Sequence, residues 1–223
     1  METDGMAELE ATRRDPAAGP AQQLVVLCHG VGANGRDLID LAPVWAQALP
    51  HAAFVAPDGP EPYDMAPTGR QWFSLIDRTP AKLLAGVAVA AGALDRFVTA
   101  EAARLGLGRD SVALMGFSQG AMTVLHTGLA YGPNVGGILS FSGAWLPPPV
   151  AAARPPVLIV HGEADDVVPV FRSREAEAAL RRAGVDVTAL YRPRVGHWID
   201  DAGLTAGAQF LTRVFAAHAK TAS

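Results

Sequence analysis

The feature that most restricts the fold of this chain is a regular alternation between short apolar runs and longer segments with helical periodicity. The apolar runs lie near residues 24–28, 53–56, 111–115, 137–141, 157–160 and 185–191, and the helical patterns cover residues 37–49, 80–105, 118–130, 171–183 and 205–219. Strands that alternate with helices predict a mostly parallel sheet with helices on both faces. We therefore predict a single α/β domain over residues 23–220. Residues 1–22 lack periodicity and are expected to form a flexible leader or a weak edge element.

The composition excludes several classes of protein. Half of the residues are hydrophobic and 18% are charged, which excludes an intrinsically disordered chain. The 18 basic and 22 acidic side chains give a net charge of −4 without any cluster of Lys or Arg, so no nucleic-acid partner is expected. The single cysteine, Cys28, excludes a disulfide framework and a zinc site built on several thiolates. We expect no metal and no cofactor.

Two features bear on the location of the protein. Residues 111–153 contain no Asp, Glu, Lys or Arg, but glycines, prolines and polar residues interrupt this stretch. A membrane span needs about 20 consecutive apolar residues, so we expect no stable membrane insertion. The first eight residues are acidic and lack the basic and apolar regions of a secretory signal, which predicts a cytoplasmic protein.

A serine follows one of the predicted strands in a pattern that favours nucleophilic chemistry. The segment Gly116-Phe117-Ser118-Gln119-Gly120 matches G-x-S-x-G and lies between a predicted strand and a predicted helix. In this motif a sharp turn lifts the serine hydroxyl into the open, and the flanking glycines permit the turn because a Cβ there would clash. Ser118 is therefore the candidate nucleophile.

A serine hydroxyl needs a base, and His197 is the best of six histidines. It lies in a loop beyond the last predicted strand, as the chain order Ser…Asp…His requires. His29 and His161 each end a strand as a His-Gly pair, which favours a role in bracing a loop. The other three lie on the nucleophile helix, in a loop and near the end of the chain, at His126, His51 and His218.

An acid must orient the imidazole of the base and stabilise its cation. The loop after the strand at residues 157–160 contains two adjacent candidates, Asp165 and Asp166, and periodicity does not decide between them. Glu163 is a more distant candidate. Asp200 and Asp201 follow His197 too closely to wrap around its ring, so we expect them to cap the final helix.

An oxyanion hole would complete this chemistry. Such a hole uses the backbone N–H of the residue after the nucleophile, here Gln119, and a second N–H from the loop after an earlier strand. Residues 29–35 form such a loop, and Val31 is the expected second donor. The same loop formally matches the G-x-G-x-x-G pattern of dinucleotide sites, but no acidic residue ends the next strand at the expected distance.

Five segments together carry a resemblance to a known family: His29-Gly30-Val31-Gly32, Trp72-Phe73, Gly116-Phe117-Ser118-Gln119-Gly120, His161-Gly162-x-x-Asp165-x-Val167-Val168-Pro169 and Gly196-His197. The chain resembles the phospholipase/carboxylesterase family of α/β-hydrolases, which includes bacterial carboxylesterases and acyl-protein thioesterases. The resemblance implies an α/β-hydrolase fold and ester hydrolysis through an acyl-serine. It also implies a Ser118–His197–Asp165 triad, with Asp165 preferred over Asp166, and oxyanion amides at Val31 and Gln119.

The substrate is less closely specified by the sequence. Apolar residues in two loops at the reactive end of the sheet, Trp72, Trp145 and Leu146 among them, are expected to line the acyl pocket. No large lid domain is present, which favours small-molecule esters with short- to medium-chain acyl groups. Acyl-protein thioesterase or lysophospholipase activity is the first alternative, and a non-catalytic binding module is the second. Relatives of this kind often pair, so a homodimer is a further expectation.

Overall fold

The computed structural model describes residues 8–148 and 150–221 of the chain. The strands are Ala11–Arg14 (β1), Gln23–Cys28 (β2), Ala52–Pro57 (β3), Glu61–Pro62 (β4), Arg70–Gln71 (β5), Val112–Phe117 (β6), Gly137–Phe141 (β7), Val157–Gly162 (β8) and Val187–Arg192 (β9). The helices are Gly35–Ile39 (α1), Ala42–Ala46 (α2), Pro80–Leu105 (α3), Gln119–Ala130 (α4), Phe171–Arg182 (α5) and Asp201–Thr221 (α6).

Seven of the described strands form one sheet in the order β1-β3-β2-β6-β7-β8-β9. Neighbouring strands are parallel except for β1, which runs antiparallel to β3 at one edge. The predicted mostly parallel sheet is therefore confirmed. In such a sheet the carboxyl ends of β2, β6, β8 and β9 lie at the same edge, where ligands bind in open α/β folds.

Helices cover both faces of this sheet, and the central strands contribute to two cores. In β2, Leu24, Val26 and Cys28 belong to a core with helices α3, α4 and α5. Val25 and Leu27 belong to a second core, in which α2 and α6 pack against the other face. Both faces are buried, which explains why the strands read as continuous apolar runs without polar alternation.

Helix α3 is long and apolar enough to cross a membrane by length and composition. In this fold one of its faces is buried instead, through residues such as Val87, Leu94 and Val98 in the first core. A glycine in the left-handed region, Gly106 at φ +68°, ends the helix. Helix α3 is therefore a core helix of the domain.

Two sequence predictions need correction. The predicted helix over residues 37–49 is two short helices, α1 and α2, because the ring of Pro43 removes a backbone donor and blocks continuation from the preceding turn. The domain begins before residue 23, because β1 pairs with β3 from Ala11 to Arg14. Arg13 in this strand also forms a salt bridge with the buried carboxylate of Glu101. The weak edge element considered above describes this segment; residues 1–7 lie outside the described residues.

Candidate active site

Ser118 occupies a strained turn between β6 and α4. Its backbone has φ 55° and ψ −116°, a conformation that non-glycine residues rarely adopt. The surrounding backbone holds this turn, because the Ser118 amide donates to the carbonyl of Phe141 at 2.9 Å. A Cβ at Gly116 would lie 2.3 Å from the backbone of Gly120, and one at Gly120 would lie 2.1 Å from the Cys28 carbonyl oxygen. The glycines therefore permit the turn, as the motif predicts.

The imidazole of His197 lies between Ser118 and an acidic residue. Its Nε2 atom is 3.0 Å from Ser118 Oγ, and its Nδ1 atom is 2.7 Å from Asp165 Oδ2. A carboxylate only accepts hydrogen bonds, so Nδ1 carries the proton and Nε2 is left to accept from the serine hydroxyl. The ring also packs against Phe117 with 4.8 Å between centroids. This arrangement can remove a proton from Ser118.

The structure distinguishes clearly among the three acidic candidates. The side chain of Asp165 is fully buried and faces His197, whereas Asp166 is exposed and Glu163 forms an exposed ion pair with Arg174. The other oxygen of Asp165 accepts from the amides of Val167 and Val168 at 3.0 and 2.8 Å.

These contacts also set the ionisation of Asp165. Burial by itself would raise the pKa of its carboxyl, but the hydrogen bonds from His197 and the Val168 and Val167 amides outweigh burial. Its pKa therefore lies below the ordinary value, and the carboxylate is ionised at neutral pH.

A second histidine contacts the same carboxylate, which sequence reasoning did not assign. His161 Nε2 lies 2.7 Å from the carbonyl oxygen of Val168 and 3.2 Å from Asp165 Oδ2, and its Nδ1 lies 2.6 Å from Ser173 Oγ. Burial lowers the pKa of this imidazole. The only indication in the sequence is the His-Gly pair at the end of β8, which predicts a residue that braces a loop. His161 indeed braces the loop that carries the acid.

The three residues meet because their loops follow strands at one edge of the sheet. Gly162 lets the loops after β8 and β9 approach closely, since a Cβ there would lie 2.2 Å from the carbonyl oxygen of Val195.

Asp200 has a separate role, as expected. It accepts from the Gly203 amide at 2.8 Å at the start of α6 and pairs with Arg192.

The two expected oxyanion donors come from two different segments of the chain. Gln119 is the first residue of α4, where backbone N–H groups have no partner within the helix and the helix dipole favours negative charge. Val31 lies in the loop after β2, which is held by a bond from the Gly32 amide to the Arg70 carbonyl. Within the described residues neither amide donates a hydrogen bond to another protein group. Both are free to bind an anionic oxygen.

Comparison with known proteins agrees with this geometry. Residues 14–215 match the model of the family described as Phospholipase/Carboxylesterase. The chain belongs to the phospholipase/carboxylesterase family. It is 34% identical to the esterase YpfH of Escherichia coli (strain K12) over 183 residues, which cover 82% of this chain and 78% of that one. It is 29% identical over 185 residues to acyl-protein thioesterase 1 of Schizosaccharomyces pombe, covering 77% of this chain and 81% of the relative.

A solved structure supports the same assignment. The crystal structure of esterase PE8 aligns with a TM-score of 0.89 at 38% sequence identity, covering 93% of this chain and 100% of that one. The carboxylesterase of Bacillus cereus shares the fold at a TM-score of 0.77 and 18% identity, covering 93% and 95% of the two chains. The resemblance and the α/β-hydrolase fold predicted from sequence are therefore confirmed.

In this member of the phospholipase/carboxylesterase family, the structure differs from the prediction for one pocket residue. Trp72 is 1% exposed, and its indole N–H donates to the carbonyl of His29 at 2.9 Å. It packs in the first core and leaves almost no exposed surface for a substrate to contact, which corrects the expectation of a substrate contact. Trp145 and Leu146 are half-buried on the loop after β7, where the Leu146 carbonyl lies 2.8 Å from His126 Nδ1.

A cleft of about 450 Å³ opens beside the loop that carries Val31. Its walls come mainly from the loop between β4 and α3: Tyr63, Asp64, Met65, Gln71, Leu75, Ile76 and Arg78. Met65 and Ile76 are 74% and 72% exposed, although both are apolar. Most of this cleft is formed by one of the two loops expected from the sequence to lie near the acyl pocket.

Proposed function

We propose that this protein is a serine carboxylesterase that cleaves small-molecule esters with short- to medium-chain acyl groups. The observation that supports the proposal most is the pair of contacts at His197, 3.0 Å to Ser118 Oγ and 2.7 Å to Asp165 Oδ2. Nucleophile, base and orienting acid are all within hydrogen-bond reach, which is the geometry that general-base activation of a serine needs.

The reaction begins with attack on the ester carbonyl. Ser118 Oγ bonds to the carbonyl carbon while its proton passes to His197 Nε2, and Asp165 stabilises the resulting imidazolium. The carbonyl oxygen becomes an oxyanion, which accepts hydrogen bonds from the Val31 and Gln119 amides. A lost donor at such a site typically costs about 10²–10³ in kcat.

The second half of the reaction releases both products. The carbon–oxygen bond to the alcohol breaks as His197 protonates the leaving oxygen, which leaves an acyl-serine at Ser118. Water then attacks the acyl carbon, His197 takes its proton, and the serine is regenerated as the carboxylic acid departs. No cofactor takes part in any of these steps.

Hydrolysis of p-nitrophenyl acetate, butyrate and octanoate by the purified protein tests the proposal. We expect turnover by the wild-type protein and a loss of about 10³-fold or more in kcat for Ser118→Ala. Undiminished turnover by Ser118→Ala would exclude Ser118 as nucleophile. No turnover of any ester by a folded wild-type protein would favour a non-catalytic binding module.

A second candidate is hydrolysis of thioesters, because several relatives between 27% and 29% identical are named acyl-protein thioesterase 1. The same acyl-serine chemistry serves esters and thioesters. Parallel assays with an acyl p-nitrophenyl ester and the matching acyl thioester separate the two activities through their kcat/KM ratio.

We also propose a cytoplasmic location and a homodimer. Cell fractionation tests the location, and analytical ultracentrifugation tests the oligomeric state.

A further inference from the structure

Three buried residues, His29, Trp72 and Gln119, are joined by side-chain to backbone hydrogen bonds into one frame. His29, Trp72 and Gln119 are each at most 1% exposed. The Gln119 side chain accepts from the Trp72 amide at 2.9 Å and donates to the Phe73 carbonyl at 2.6 Å. The Trp72 indole in turn donates to the His29 carbonyl. The frame therefore links the start of α4 to the end of β2.

The hydrogen bonds of His29 fix its protonation. The amide of Gly59 donates to His29 Nε2 at 2.8 Å, so this nitrogen is an acceptor and carries no proton. The ring proton is then on Nδ1, which lies 2.7 Å from the carbonyl oxygen of Gly30 and donates to it. Burial lowers the pKa of this imidazole, which keeps the ring neutral.

The Gly30 carbonyl belongs to the same peptide group as the Val31 N–H. A trans peptide is planar, so its C=O and N–H point in opposite directions. Whatever holds the Gly30 oxygen therefore sets the direction of the Val31 amide. The only other bond to this oxygen from the described backbone is longer, from the Ala33 amide at 3.2 Å.

The two oxyanion amides differ in what holds them. The Ser118 carbonyl, which shares a peptide with the Gln119 N–H, accepts from the amides of Ala121 and Met122 and is fixed by the first turn of α4. The Gly30–Val31 peptide has no helix to hold it, and Gly30 lacks the Cβ that restricts rotation. The imidazole of His29 supplies the missing constraint.

We propose that His29 is a positioning residue that orients the Val31 amide toward the developing oxyanion. The proposal rests on the proposed esterase function and adds one residue to its machinery. His29 never touches the substrate, so its contribution appears in the transition state, where the oxyanion exists, and not in ground-state binding.

Two substitutions of His29 test the contacts of its two ring nitrogens separately. In His29→Asn the side-chain amide nitrogen occupies the place of Nδ1, which retains the donor to Gly30 and removes the acceptor for Gly59. In His29→Gln the side chain reaches the place of Nε2, which retains the Gly59 contact and removes the donor. We expect kcat for p-nitrophenyl butyrate to fall by about 10–100-fold in His29→Gln and by less than about threefold in His29→Asn.

Further readouts exclude a merely structural effect. KM should change by less than about threefold in both variants, and the Ki of a trifluoromethyl ketone, which forms an oxyanion on adding Ser118, should rise with the loss in kcat. Equal losses in both variants, or a full kcat in His29→Gln, would overturn the proposal. Inactivity of the wild-type protein would instead count against the esterase function itself.

The tautomer of His29 can also be measured in the wild-type protein, with a variant used only to assign the signals. Nitrogen-15 NMR of the histidine rings reports the tautomer of each imidazole, and His29→Asn identifies the His29 signals by their loss. The proposal requires neutral His29 with its proton on Nδ1 at pH 7. A proton on Nε2 would overturn it, because Nδ1 then has no hydrogen to donate to Gly30.

Discussion

The Nε2 atom of His197 lies 3.0 Å from the Oγ atom of Ser118, although 79 positions separate the two residues in the chain. The contact depends on the sheet, since Ser118 follows β6 while His197 follows β9, three strands away in the sheet. Asp165 follows β8, next to β9, and completes the link through His197. Any change that shifts these strand ends relative to one another should therefore affect activity before it unfolds the domain.

The choice of acid gives a prediction with an internal control. Asp165→Asn retains the shape of the side chain but removes the charge that stabilises the imidazolium and selects its tautomer. We expect kcat for p-nitrophenyl butyrate to fall by about 10³-fold or more. The neighbouring Asp166→Asn should stay within about twofold of wild type, because Asp166 is exposed. Comparable losses in the two variants would show that Asp165 has no special role.

Close packing at the nucleophile turn predicts a large loss of stability in Gly120→Ala. The added Cβ would lie 2.1 Å from the Cys28 carbonyl oxygen, a backbone atom that cannot rotate away. We expect the free energy of unfolding in urea to fall by about 3 kcal/mol or more. Gly106→Ala is the control, with φ +68° and no atom within 4 Å, and should lose only about 1 kcal/mol. A smaller loss for Gly120→Ala than for its control would contradict the packing described here.

Three buried histidines predict that stability falls with acidification. Burial lowers the pKa of His29, His126 and His161 in the folded chain. In the unfolded chain a histidine titrates near about 6.5. Their stabilising effect is therefore complete above that pH and is lost as the pH falls toward the folded-state values, because unfolding takes up protons.

Urea unfolding at pH 5.5, 6.5 and 7.5 measures this dependence. Each histidine can contribute a slope of at most about 1.4 kcal/mol per pH unit. Replacement of one of them, as in His126→Gln, should reduce the slope below pH 6.5 relative to wild type. Stability that rises on acidification from pH 6.5 to 5.5 would be inconsistent with neutral buried imidazoles.

The cleft beside Val31 predicts a change in acyl-chain preference. Met65→Trp places a larger side chain on its rim, and it should lower kcat/KM for p-nitrophenyl octanoate about fivefold or more while leaving the acetate ester nearly unchanged. Val44→Trp on α2 introduces the same side chain at an exposed position outside the cleft and serves as control. If both esters respond equally to Met65→Trp, the cleft does not hold the acyl chain.

Much of the sheet could be predicted because burial on both faces leaves a strong signal in the sequence. The apolar runs of β2, β6, β7 and β8 mark strands covered by helices on either side. The short edge strand β1 escapes this reasoning, since its residues are half-buried or exposed and include Arg13 and Arg14. The break between α1 and α2 was missed because the apolar spacing continues through Pro43, although its ring prevents a continuous helix.

The residues of the candidate site could be predicted in part, each for a physical reason. Ser118 and His197 were identified because the turn and the chain order leave few alternatives. Adjacent side chains in a loop point in directions that periodicity does not specify, so Asp165 was favoured over Asp166 only through the family resemblance. Trp72 was misassigned because residue type indicates an apolar environment without indicating whether a core or a substrate provides it. Tertiary packing determines the contacts of His29, His161 and the Gln119 side chain. The sequence indicates them only through the two His-Gly pairs at the ends of strands.

Covalent labelling with a fluorophosphonate tests the central claim, that His197 activates Ser118 as a nucleophile. Attack by the serine oxygen on phosphorus expels fluoride and leaves a stable adduct, which mass spectrometry of tryptic peptides locates. We predict one adduct per chain, on Ser118, no adduct in Ser118→Ala, and labelling slowed by about a hundredfold or more in His197→Gln. An adduct on another residue, or labelling of His197→Gln at the wild-type rate, would contradict the account.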